Sequence, residues 1–165
     1  NLILAIPSSG VHSNGYSLIR KILNKKKINL KKTKFLKKEL LKPTKIYVNE
    51  VLNLIDNKLI NCCANITGGG IADNIKRIIP KGLMADIDLT KIKTKKIFKW
   101  LKKNNIEDVE MLKTFNCGVG FCLIVNPKKL NMIKKFFNKK YQPYIIGKII
   151  PGNNKIKLNG KINWS

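Results

Sequence analysis

Apolar residues along the chain fall into short blocks whose spacing switches between the period of a strand and that of a helix. Leu2 to Ile6 is a continuous apolar run ended by Pro7, which predicts a buried strand. A polar, glycine-bearing loop follows from Ser8 to Gly15. Leu18, Ile19, Ile22 and Leu23 then recur at helical spacing, with Ser13 or Asn14 placed to cap the helix. Residues from Asn24 through Lys38 are lysine-rich and show little apolar periodicity beyond Phe35 and Leu36, so they read as a solvated connector. After Pro43 and a Thr44 cap, Ile46 to Asp56 sets Tyr47, Val48, Val51, Leu52 and Ile55 on one face of a second helix. The apolar stretch Leu59 to Ala64 predicts a strand that runs into Thr67-Gly68-Gly69-Gly70, and Ile71 to Ile79 is helical until Pro80.

The second half continues the alternation. Gly82 to Leu89 predicts a strand, Lys95 to Lys103 an amphipathic helix and Glu107 to Thr114 a shorter one. Phe115-Asn116-Cys117-Gly118-Val119-Gly120 leads into the most apolar strand, Phe121 to Val125, and Pro127 opens a helix through Phe137. Tyr144 to Ile150 is β-branched. Lys155 to Leu158 and Lys161 to Trp164 flank Asn159-Gly160, a hairpin signal. Helices and strands alternate without a regular βαβ rhythm, which predicts an α+β domain: a mixed β-sheet with packed helices.

Length changes this picture little: 165 residues suit one domain with its own core. The chain starts at Asn1 and enters an apolar strand at once, so residues 1–165 are expected to be a single C-terminal domain of a longer protein. No apolar run approaches a membrane span, and a cytoplasmic protein with no membrane partner is expected. Cys62, Cys63, Cys117 and Cys122 lie in apolar, strand-like surroundings with no Cys-x-x-Cys pair, which predicts reduced, structural thiols and no metal site.

The formal charge of +25 raises a second reading, a basic non-enzymatic module that binds RNA or an acidic surface. Lysine is scattered over nearly every helix and loop, arginine occurs only at Arg20 and Arg77, and aromatic residues are not interleaved with the charges. Lys, Ile and Asn are inflated together, as AT-rich codons would produce, and no specific nucleic-acid partner is expected.

Chemistry concentrates in three glycine-containing loops, two of which open onto a helix N-terminus. Backbone N–H groups in such loops suit anions. The first, Ser8 to Leu18, also packs hydroxyls, an amide and the chain's single histidine, His12, into one polar stretch; an imidazole there can donate to a phosphate or carry a proton near neutral pH, or simply hold the loop.

In order along the chain, SSGVHSNGYSLIRKIL (8–23), LLKPTKIYV (40–48), ITGGGIADNI (66–75), EMLKTFNCGVGFCLIV (110–125) and IIGKI (145–149) resemble the C-terminal half of the aminoimidazole ribonucleotide synthetase family. That resemblance implies ATP- and Mg2+-dependent ring closure of formylglycinamidine ribonucleotide in purine biosynthesis. In this reaction the amide oxygen is activated as a phosphate ester and the amidine nitrogen closes the ring. It further implies that Ser9, Gly10, His12, Ser13 and Asn14 line the substrate cleft and that Gly68, Gly69 and Gly70 form its second wall. Asn116 would reach the same cleft, with Gly118 and Gly120 packed beside it, and His12 would be the proton carrier. An N-terminal half, carrying most ATP and Mg2+ contacts and building a homodimer, would be the partner without which residues 1–165 are inactive. Two positions depart from the family pattern: Asn65 stands where histidine is common, and Asp73 where glutamate is usual and where a carboxylate would cap the following helix.

Overall fold

In a computed structural model describing residues 1–153 and 155–165, six strands form one sheet. In chain order the elements are β1 (Leu2–Pro7), α1 (Tyr16–Lys25), α2 (Lys34–Leu40), α3 (Val48–Asp56), β2 (Cys62–Asn65), α4 (Gly70–Lys76) and β3 (Leu83–Asp88). They continue with α5 (Lys96–Lys102), α6 (Asp108–Thr114), β4 (Val119–Val125), α7 (Leu130–Lys134), β5 (Tyr144–Pro151) and β6 (Ile156–Asn159). The strand order is β2-β4-β1-β5-β3-β6. Every neighbouring pair is antiparallel except β3 with β6, so the sheet is mixed and the fold is α+β, as expected.

β1 lies inside the sheet between β4 and β5 and is covered on both faces, which is why its sequence is apolar without alternation. Ile3 and Ala5 enter the larger core, with Ile19 and Ile22 of α1, Ile71 and Ile75 of α4, and Phe98 and Leu101 of α5. Leu4 and Ile6 face the other way, into a smaller core with Val51 and Leu54 of α3 and Ile133 of α7. This two-sided packing fixes the direction in which β1 delivers the loop that follows it.

Four readings need correction. The Asn24–Lys38 connector ends in α2, whose Leu36 and Leu40 are buried in the larger core. In α3 the buried positions are Val51 and Leu54, with Tyr47 just ahead of the helix, whereas Val48, Leu52 and Ile55 are about half exposed. The helix after Pro127 is a 3-10 turn followed by the short α7. The Asn159-Gly160 turn makes no hairpin: β6 pairs in parallel with β3, and residues 161–165 leave the sheet so that Trp164 Nε1 donates to Asp108 Oδ1 at 3.0 Å.

All four cysteines are free. Cys117 sits in a turn at φ 52°, not in a strand, and burial pushes its thiol up to about 12. A thiol so displaced stays protonated, which suits a small core residue.

Candidate functional site

The three glycine loops meet at one end of the sheet because β1, β2 and β4 are neighbours there. Ser8 N–H, leaving β1, donates to the Gly118 carbonyl at 2.9 Å, and Ile66 N–H, leaving β2, donates to the Gly120 carbonyl at 3.0 Å. Gly69 N–H donates to the Lys113 carbonyl at 3.0 Å, which joins the second loop to the end of α6.

Inside the first loop, Ser9 N–H donates to His12 Nε2 at 3.1 Å. The Ser9 hydroxyl donates to the Pro43 carbonyl at 2.8 Å and accepts from Lys45 N–H at 3.1 Å, tying the loop to the approach to α3. Asn116 connects the first and third loops: its Nδ2 donates to the Gly10 carbonyl at 2.9 Å and its Oδ1 accepts from Gly118 N–H at 2.9 Å. Two glycines allow the loops to close. At Gly15, φ is 72° and a Cβ would lie 2.2 Å from the Phe115 ring; at Gly70, φ is 66° and a Cβ would lie 1.7 Å from the Leu112 carbonyl oxygen.

These contacts divide the expected site residues into two groups. Ser9, Gly10, His12 and Asn116 are buried, with the Ser9 hydroxyl, His12 Nε2, the Gly10 carbonyl and the Asn116 amide bonded within the protein; Gly69 and Gly70 pack against α4 and α6. The amide of Asn116 is therefore a strut, not a group reaching into a cleft. Ser13 and Gly68 are exposed and Asn14 is half-buried. Around Gly68 there is open space, with nothing within 4 Å of a Cβ built there.

Neither Ser13 nor Asn14 caps α1. Gly15 occupies the N-cap position, and no side chain bonds to the helix end, so the N–H groups of its first turn are left for solvent or an anion. Asp73 makes no cap of α4 either; Gly69 holds that position, with the Asp73 side chain against it. Ser8 Oγ is buried without a hydrogen-bond partner among the described residues.

His12 is 7% exposed at φ 55°. Burial, and after it the charge of Lys95, lowers its pKa from 6.5 to about 4. The ring is neutral at neutral pH, and with Nε2 accepting from Ser9 the proton resides on Nδ1. This arrangement holds the loop; it does not favour a proton carrier working near pH 7.

Sequence reading missed Asn74. Its Nδ2 donates to the Gly70 carbonyl at 2.8 Å and the Gly68 carbonyl at 3.3 Å, and its Oδ1 accepts from the Thr67 hydroxyl at 3.2 Å. A buried asparagine one turn into a helix that follows a glycine run was the available signal, since Asn is unfavourable there unless it bonds to nearby backbone. A concavity of about 450 Å³ between α1 and residues 104–110 lies apart from the three loops, and its Lys21, Lys25, Glu107 and Glu110 lining is solvated.

Residues 1–159 match the family described as AIR synthase related protein, C-terminal domain. The chain belongs to that family. Over 159 residues it is 42% identical to the chloroplastic/mitochondrial phosphoribosylformylglycinamidine cyclo-ligase of Vigna unguiculata, covering 93% of this chain and 41% of that protein. The chloroplastic cyclo-ligase of Arabidopsis thaliana is 38% identical, with 92% and 41% covered. The chain thus spans about two-fifths of the length of these relatives. Among solved structures, thiamine-monophosphate kinase from Stenotrophomonas maltophilia K279a aligns with a TM-score of 0.63 at 13% identity, covering 98% of this chain and 51% of the other. Thermotoga maritima PurL complexed with FGAR aligns with a TM-score of 0.53 at 14% identity, covering 91% and 24%. These two likenesses carry the AIR synthase C-terminal fold and nothing finer.

Proposed function

We propose that this domain is the substrate-binding half of a phosphoribosylformylglycinamidine cyclo-ligase, which closes formylglycinamidine ribonucleotide to aminoimidazole ribonucleotide in purine biosynthesis. The observation that carries the reading is 42% identity to a cyclo-ligase over 93% of the chain, together with a family match over residues 1–159 that includes all three loops. The RNA or acidic-surface alternative gains no support: the curated relatives are enzymes, and basic residues are dispersed over the surface.

The geometry supports a division of labour. The uncapped start of α1, with Ser13 and Asn14 ahead of it, offers N–H, hydroxyl and amide donors to a phosphate or an activated amide oxygen. His12, neutral and bonded to Ser9, acts as a positioning residue that fixes the path of this loop. Asn116 and Asn74 keep the neighbouring loops in register with it. ATP supplies the phosphoryl group that makes the amide oxygen a leaving group. Among the described residues no three His, Cys, Asp or Glu side chains come together; a Mg2+ ion held by one or two carboxylates and the phosphates of its nucleotide requires no such cluster. Most ATP and Mg2+ contacts belong, on this reading, to the N-terminal part of the full-length enzyme.

The test is ADP release by the full-length protein with formylglycinamidine ribonucleotide and ATP. ADP formed in step with aminoimidazole ribonucleotide is expected; ADP release that does not depend on the ribonucleotide would end the cyclo-ligase reading.

A further inference from the structure

Basic residues are dispersed over most of the surface, but several stretches lack them: 104–112, which holds three of the acidic residues, and two that meet in space and are largely apolar. Residues 46–57 and 59–75 contain no Lys or Arg, although the chain has 34 basic residues against 9 acidic ones. In the fold these two stretches are α3, the sheet-edge strand β2 and the second glycine loop, and they lie together beside β4. The same region carries the densest set of exposed apolar side chains: Ile46 is 75% exposed, Val48 54%, Leu52 52% and Ile55 47%.

Val48, Leu52 and Ile55 recur one and two turns apart on α3 and form a continuous apolar strip. Where the strip meets Phe121 of β4 and Asn65 of β2 there is a concavity of about 300 Å³. The lysine on its rim, Lys45, is neutralised: its Nζ lies 2.7 Å from Glu50 Oε1, donates to the Ile46 carbonyl and sits over the Tyr47 and Tyr141 rings. An apolar, charge-poor patch on a chain of +25 is a surface built to be covered.

We propose that the rest of the full-length cyclo-ligase polypeptide packs on this α3 strip and the Phe121 concavity. The inference rests on the cyclo-ligase reading for the existence of that polypeptide. The curated relatives extend well beyond the two-fifths of their length that this chain matches, so enough chain exists to cover the strip. A second copy is the poorer occupant, because it would bring +25 against +25. A nucleic acid or an acidic partner would find no cation here to pair with. The strip also adjoins the three-loop site: Lys45 N–H bonds to Ser9 and the Tyr47 hydroxyl to the Pro7 carbonyl. Polypeptide docked on the strip is therefore held beside Pro7 and Ser9, where the first loop leaves β1.

The test is maleimide labelling of Leu52→Cys and Val109→Cys in the native full-length enzyme. Each rate is normalised to the same variant in urea and read by peptide mass, so that Cys62 and Cys63 are counted separately. Val109 on α6 is 75% exposed and outside the strip. Labelling of Leu52→Cys slowed about 10-fold or more relative to Val109→Cys is expected. Equal normalised rates would overturn the proposal. Protection that vanishes on dilution, in step with loss of a dimer by sedimentation, would also overturn it, because a second copy would then be the cover. Labelling needs no turnover: an inactive wild type with Leu52→Cys still protected would count against the cyclo-ligase assignment and for the interface.

Discussion

The state of His12 makes a quantitative prediction about acid stability. Its Nε2 accepts from Ser9 N–H and its pKa stands at about 4 against 6.5 for a free imidazole, so protonation would remove the acceptor and place a cation near Lys95. Between pH 6.5 and 4 the unfolded chain binds a proton that the native chain does not, so this residue makes stability rise with pH through that window and fall as acid is added. The whole displacement corresponds to about 3 kcal/mol, and solvent near a surface loop reduces what is expected to about 1–2 kcal/mol. For a chain of this size that is about 4 °C in melting temperature. The variant to compare is His12→Asn, whose amide oxygen can accept from Ser9, whose backbone tolerates φ 55°, and which does not titrate. Wild type minus variant, by thermal melting, should shrink by about 4 °C between pH 7 and pH 4.5, with the shared carboxylate titrations cancelling. A difference that stays constant over that range, or grows toward acid, would refute the assignment of His12 as a buried neutral acceptor.

Two further outcomes follow from the loops and the charge. Gly70→Ala should cost roughly 3 kcal/mol or more by denaturant unfolding, because it meets the Leu112 carbonyl at positive φ, whereas Gly68→Ala, with open space around it, should stay within about 0.5 kcal/mol of wild type. Equal effects within this one glycine run would contradict the packing described. With 34 basic residues against 9 acidic ones, most lysines lack a partner, so the melting temperature should rise as salt screens their repulsion; an unchanged value between low and high ionic strength would refute this.

Legibility in the sequence followed the number of constraints acting on each element. β1 and β4 are buried on both faces, so their apolar runs could hardly be read otherwise, and the helices after the first two glycine loops carry both spacing and punctuation. α2 was hidden because only Leu36 and Leu40 of its residues turn inward, among lysines that give no helical period. The Asn159-Gly160 turn is real, with Gly160 at φ 70°, but the partner of β6 is β3, about 70 residues earlier, and local pairing rules cannot see so distant a strand. In the site, residue types were legible and their directions were not. The resemblance carried Asn116 and His12 to the cleft by position, and position along the chain does not say whether a side chain points at a ligand or at the next loop.

The way the three loops are joined bears on how such a protein can change over generations. Their closures run largely through peptide groups, Ser8 to Gly118, Ile66 to Gly120 and Gly69 to Lys113, and a peptide group is the same whatever side chain it carries. A lineage whose codons drift toward Lys, Ile and Asn can rewrite most of the exterior while these links survive untouched. The burden of heredity then falls on a few positions, such as Gly15 and Gly70, where anything larger than hydrogen collides with a neighbour. Mutational tolerance in this domain should therefore be sharply bimodal, broad across the lysine-bearing exterior and nearly nil at the loop crossings.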